Sequence, residues 1–167
     1  MGAVLMADHV YQAIADSAPE ALPVGHGFTY SGHPVSAAVA LEVLRLYREG
    51  GMLENGLKTG KRFAARLEAI KDHPLVGDVR SRGMLGAIEL VSNKASKAGF
   101  APELDIGGRL SQITWDNDVI VRCFANAVIG FAPALCCSEA EMDLIFDRIE
   151  KSLDQLMAQP DVRAALG

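Results

Sequence analysis

At 167 residues, half of them apolar, the chain is long and hydrophobic enough for one domain, or slightly more, with a packed core rather than a disordered chain. Its net charge is −5, and Lys and Arg are scattered among Asp and Glu, which argues against a nucleic-acid-binding surface. No apolar run is long enough to span a bilayer, and no basic region opens the sequence, so neither a membrane helix nor a secretory signal is predicted.

The first fifty residues predict a strand, two helices and a long loop between the helices. Residues 3–6 are apolar and indicate a short buried strand, and Asp8 can cap a helix over residues 9–15. Residues 16–33 are rich in Gly, Pro, Ser and Thr and indicate a loop. Proline suits the first position of a helix, so a long helix is predicted from Pro34 to Glu49, ending at two glycines.

The remainder of the chain alternates between helical and strand patterns. The clearest helix follows Ser138 and Glu141, which form a capping-box pattern ahead of apolar residues at helical spacing. Together these patterns indicate an α+β fold with a small, mostly antiparallel sheet covered by helices. Further helices are predicted over residues 53–71 and 108–117, and strands over residues 75–80, 84–91, 119–122 and 127–131, with a tight turn near Asn126.

Residues 25–34 (GHGFTYSGHP) are the most informative segment. Three glycines let the backbone approach a ligand closely, three side chains carry hydroxyl groups, and the segment ends at a helix N-terminus, which favours anions. A phosphate site is one interpretation, and an ordinary glycine-rich loop capped by His33 is the other. Glycine-rich loops are weak signals, so the residues leave both open.

Several motifs in order resemble the class III aminotransferases, the omega-transaminases and their relatives. They are residues 25–34 with the alanine-rich helix that follows, residues 1–4 (MGAV), residues 79–90 (VRSRGMLGAIEL), and residues 120–122 (IVR) followed by 131–135 (FAPAL). The resemblance implies the C-terminal domain of a fold-type I pyridoxal-phosphate enzyme. It assigns residues 1–33 to a remnant of the large cofactor-binding domain, 34–50 to an interdomain helix and 51–167 to the small domain.

The resemblance also implies binding roles and partners. Thr29, with Phe28 and Gly27, would contact the cofactor phosphate in the partner subunit of a homodimer. Arg122 would contact the substrate carboxylate, although a structural ion pair at a strand edge is the alternative for this arginine. The complete enzyme would use pyridoxal phosphate to move an amino group between an amine or amino acid and a keto acid or aldehyde.

The lysine that holds the cofactor lies upstream of residues 2–5 in the family, and none of the six lysines here matches it. We therefore expect a truncated chain with no catalytic residue of its own, which binds no cofactor and is inactive when isolated. The lysines are expected to be solvated charges. They are Lys58, Lys61, Lys71, Lys94, Lys97 and Lys151.

The other residues with reactive side chains suggest structural roles. The three cysteines form no CxxC pair and the four histidines lack metal-ligand spacing, so we expect reduced thiols, a cytoplasmic location and no metal site. Trp115 is expected to pack, and Glu89 to point outward or pair with an arginine. Two further hypotheses remain: a non-catalytic dimerising or interaction module, and a binder of phosphate ligands built on residues 27–32.

Overall fold

A computed structural model describes residues 2–16, 27–124 and 127–167. The chain divides into two compact units, Met1–Gly50 and Gly51–Gly167. In the described part of the chain, no helix combines the length and the hydrophobicity needed to cross a membrane.

The first unit contains two helices, α1 (Asp8–Asp16) and α2 (Pro34–Glu49). Both were predicted, and Pro34 occupies the first position of α2 as expected. The strand predicted over residues 3–6 was wrong, because these residues pair with no other described segment and an apolar run alone does not supply a hydrogen-bonding neighbour. His33 stands at the N-cap position, but the prediction that it caps α2 was wrong, because its side chain makes no capping hydrogen bond.

The second unit packs helices against a four-stranded sheet. The sheet has the order β1-β2-β4-β3, and each neighbouring pair is antiparallel. The α+β class with an antiparallel sheet is therefore confirmed. The elements in chain order are α3 (Met52–Ile70), β1 (Val76–Arg82), β2 (Leu85–Leu90), α4 (Ile106–Asp116), β3 (Arg122–Cys123), β4 (Val128–Phe131), α5 (Glu139–Met157) and α6 (Pro160–Ala164).

One face of this sheet carries the core. Along β2, Ile88 and Leu90 are buried, and Gly86 lies so close to α3 that an added Cβ would fall 2.6 Å from atoms of Phe63 and Leu67. The alternate residues of β2 lie on the opposite, more open face, as the twofold repeat of a strand requires. The register places Arg122 and Gly130 on this open face, because Gly130 pairs with both Ala87 and Arg122.

Helix α5 is the central helix of the second unit. Its capping box is confirmed: the Ser138 hydroxyl accepts a hydrogen bond from the Glu141 backbone N–H, and the Glu141 carboxylate accepts one from the Ser138 backbone N–H at 2.7 Å. The pKa of the Glu141 carboxylate is lowered, mainly by the hydrogen bond from the Ser138 backbone N–H and to a smaller extent by the one from the Ser138 hydroxyl. The inward side chains of α5 meet α3, where the Phe146 ring lies 5.6 Å from the Phe63 ring, measured between centroids.

Two further predictions differ from the structure in this unit. The strand predicted over residues 119–122 begins only at Arg122, and Val119 is instead buried, its N–H donating to the carbonyl of Thr114. Of this apolar run only Val119 is buried, whereas Ile120 is 78% exposed, so the run does not mark a paired strand. Trp115 was expected to pack but is 64% exposed. The predicted turn at Asn126 lies outside the described residues.

Candidate functional site

A groove of about 470 Å³ opens at one end of the sheet in the second unit. Because β2 runs antiparallel to β4, the start of β2 lies beside the end of β4, and Gly86 faces Phe131. β3 begins at the same end, with Arg122 opposite Gly130. Strand pairing therefore brings three separate segments together at this point. The groove is lined by Phe63, Leu85, Gly86, Val119, Ile120, Val121, Arg122, Gly130, Phe131, Ala132, Pro133 and Ile145.

Arg122 is the charged residue of this largely apolar lining. Within the described residues, no ion pair or hydrogen bond of its guanidinium to a carboxylate is found, whereas Arg62 holds Asp143 at 2.7 Å and Arg109 holds Asp161 at 2.6 Å. Its guanidinium carbon lies over the ring of Phe124, 5.0 Å from the centroid. A guanidinium presents N–H groups that match a carboxylate bidentately, so this group is available to an anionic ligand in the groove.

The predicted alternative for Arg122, a structural ion pair at a strand edge, applies instead to an arginine on the opposite edge strand of the sheet. Arg80 of β1 lies 3.0 Å from Asp78 and 3.1 Å from Glu89 on the open face of the sheet. The expectation that Glu89 points outward or pairs with an arginine is therefore confirmed in both respects. These carboxylates are already partnered.

In the first unit, a second cavity of about 390 Å³ adjoins the N-terminus of α2. Gly27, from the predicted phosphate-contacting loop, lines it together with Tyr30, Ser31 and Ser36. The segment turns sharply, with the Ser31 N–H donating to the Phe28 carbonyl at 2.9 Å. Hydroxyl groups and the first turn of a helix suit an anion such as a phosphate group. Thr29 is exposed in the same turn and is not among the lining residues.

The family model for class III aminotransferases matches residues 1–153. The chain belongs to the class III aminotransferases. The resemblance seen in its motifs is thereby confirmed.

Related proteins and solved structures of this family are similar to the chain over most of its length. A diaminobutyrate–2-oxoglutarate transaminase of Halomonas elongata is 34% identical, covering 93% of this chain and 34% of the relative. A putrescine–pyruvate aminotransferase of Pseudomonas aeruginosa is 35% identical, covering 95% and 34%. An (S)-enantioselective omega-transaminase from Thermomicrobium roseum superposes with a TM-score of 0.78 at 34% identity, covering 91% and 33%.

A solved aminotransferase from Vibrio fluvialis in its PMP-bound form gives a TM-score of 0.76 at 36% identity, with 88% of this chain and 32% of that chain covered. This class III aminotransferase chain thus spans about a third of the length of the relatives it matches. The predicted relation to fold-type I transaminases is confirmed by these structures.

The reactive side chains of this class III aminotransferase chain are few around the groove. All six lysines are exposed, as expected, and none lines the groove in the described structure. Burial raises the pKa of the Cys123 thiol to about 11, which keeps it protonated at neutral pH. No set of three or more metal-ligating side chains clusters among residues 2–16, 27–124 and 127–167.

Two residues near these sites were missed in the sequence. Ser36 lies in the first turn of α2, and its position three residues after His33 was the available signal. Phe124 follows Arg122 by two residues, so the strand repeat could have placed both side chains on one face. The contact between them depends on the local backbone, which no sequence pattern specifies.

Proposed function

We propose that this chain supplies the substrate-carboxylate contact and part of the cofactor-phosphate contact of a class III aminotransferase. That enzyme transfers an amino group between an amine or amino acid and a keto acid or aldehyde. The observation that carries the proposal is Arg122, a guanidinium with no described carboxylate partner, in the lining of an apolar groove. A keto acid offers the matching carboxylate, and the apolar walls suit the rest of a small substrate.

The proposed cofactor is pyridoxal phosphate, which when bound supplies an electron sink for the substrate. In a cytoplasmic homodimer, the cofactor phosphate in the partner subunit's site is proposed to be contacted by Thr29, Phe28 and Gly27 of this chain. The cavity beside Gly27 supports this role, because Ser31 and Ser36 add hydroxyl groups at the start of α2. In the same proposal, residues 1–33 belong to the large domain, 34–50 form the interdomain helix and 51–167 form the small domain.

We further propose that the 167-residue polypeptide does not transaminate when it is tested alone. The cofactor's aldehyde must be captured by an amine held beside the substrate, and that amine must later move a proton. Exposed lysines are strongly hydrated and mobile. In support of the proposal, two of the exposed lysines already make contacts with other residues of the chain. Lys71 pairs with Glu68, and Lys94 donates to the backbone carbonyl of Lys71.

A non-catalytic dimerising module is the second candidate function. It is favoured by the apolar side chains that α2 exposes in the first unit, including Val35 and Leu41, each about two thirds exposed. A module of this kind would not need to bind a carboxylate ligand in the groove of the second unit. Carboxylate binding therefore separates the two candidates.

Substituting Arg122 with glutamine is expected to weaken the binding of a keto acid to the groove by about tenfold or more, because a charged hydrogen-bonded pair is worth about 1.5–3 kcal/mol. Pyruvate would be titrated into labelled protein while the backbone amide resonances of Gly130 and Ala132 are followed by NMR. Both residues line the groove. Saturable shifts are expected in the wild-type chain and lost at the same concentrations in R122Q.

Arg82→Gln provides a matched control, since Arg82 is exposed on β1, has no described ion pair and lies outside the groove lining. It should bind pyruvate as the wild type does. Equal affinity in R122Q and wild type would remove the carboxylate role, and a complete lack of shifts in the wild type would favour the module.

A further inference from the structure

Arg122 and Phe124 lie on the same side of an extended segment. Side chains two residues apart in a strand share a face, and the register puts this face on the open side of the sheet, beside Gly130. The guanidinium carbon lies over the Phe124 ring at 5.0 Å from its centroid. This distance falls within the range of a cation–π contact.

The backbone of Phe124 is held at both of its polar groups. Its N–H donates to the Val128 carbonyl at 2.8 Å, and its carbonyl accepts a hydrogen bond from the Ala127 N–H at 3.0 Å. Val128 belongs to β4, so the first of these bonds attaches Phe124 to the strand that also forms the groove wall. The ring is therefore carried by an anchored backbone, although Phe124 as a residue is 41% exposed.

Space for the ring comes from Gly130. A Cβ added at this position would lie 3.2 Å from Cε2 of Phe124, which is tighter than an ordinary contact. Gly130 is also the residue paired with Arg122 across the sheet. The ring thus sits close over a glycine in the neighbouring strand and next to the arginine, with the guanidinium above it.

We propose that Phe124 is a positioning residue that holds the Arg122 guanidinium at the groove for a substrate carboxylate. This inference rests on the proposed function and extends it to a residue that does not line the groove. A ring contacts the cation without occupying its N–H groups with an acceptor, so the hydrogen-bonding capacity remains for the ligand. Holding a long side chain in one place before binding also reduces the conformational entropy lost on binding.

The test compares Phe124→Leu with Phe124→Tyr in the full 167-residue chain. Leucine keeps an apolar side chain but removes the ring, whereas tyrosine keeps the ring. Ring currents should shift the Arg122 side-chain protons upfield in the wild type and F124Y, and the shift should disappear in F124L. The dissociation constant for pyruvate should rise about two- to fivefold in F124L alone, as expected for the loss of an exposed cation–π contact.

Trp115→Leu serves as the control, because it removes another exposed aromatic ring from the same unit. Acetone, which lacks the carboxylate, should give the same response in all variants. If F124L loses the ring-current shift yet binds pyruvate as tightly as the wild type, Phe124 does not position Arg122. If the wild type shows the shift but Arg122 does not respond to pyruvate, the proposed function fails and the positioning role fails with it. Backbone amide spectra of each variant verify that the fold is retained.

Discussion

Replacing Phe146 with alanine is expected to lower the free energy of unfolding by about 3–5 kcal/mol. Phe146 is fully buried on α5, its ring stacks on Phe131 at 5.9 Å and meets Phe63 at 5.6 Å, and Arg66 lies over it at 5.6 Å. One truncation removes contacts to α3, β4 and a cation together. The neighbours are themselves packed, so the cavity cannot close easily.

The measurement is urea unfolding followed by far-ultraviolet circular dichroism. Leu144→Ala is the matched control on the same helix, because Leu144 is 48% exposed and its truncation leaves no enclosed cavity. It should cost less than about 1 kcal/mol. Equal losses in the two variants would show that Phe146 is not a central core residue.

Adding a single methyl group at Gly86 is the second large perturbation, with an expected cost of about 1–3 kcal/mol. The new Cβ of Gly86→Ala would lie 2.6 Å from atoms of Leu67 and Phe63, both 1% exposed. The added methyl group must therefore displace these buried side chains or push β2 away from α3. Because Gly86 lines the groove, the same shift should also weaken pyruvate binding.

Gly99→Ala tests whether the effect comes from crowding. Nothing lies within 4 Å of a Cβ at Gly99, and its φ is not in the left-handed region, so this variant should match or slightly exceed the wild-type stability. Thermal unfolding of the three proteins provides the comparison. A Gly86→Ala variant as stable as Gly99→Ala would mean that β2 and α3 are not in close contact.

The elements with explicit start and stop signals were predicted well from the sequence. Pro34 opened α2 at the expected residue, and the Ser138–Glu141 box placed α5. These signals are local: each satisfies backbone groups within one turn of the helix. The short α6 (Pro160–Ala164) has a proline at its start but was not predicted, since five residues carry no helical period.

Short apolar runs were the main source of error. Residues 3–6 and 119–121 both looked like strands, but a strand exists only where a partner supplies hydrogen bonds, and such a partner is a tertiary feature. The same limit applies to the groove. Arg122 was identified through the family resemblance, whereas its neighbours along the groove come from segments brought together by strand order. That order could not be read from local patterns.

Alanine formation with added pyridoxal phosphate tests directly whether the chain contributes binding contacts without the reactive lysine. The 167-residue protein would be incubated with pyridoxal phosphate, an amine donor and pyruvate, assayed for alanine, and then reduced with borohydride and mapped by mass spectrometry. We expect no alanine beyond that formed by free cofactor, and any label spread over the exposed lysines. Alanine formation at an enzymatic rate, with one of the six lysines carrying a full equivalent of label, would contradict the proposed division of roles.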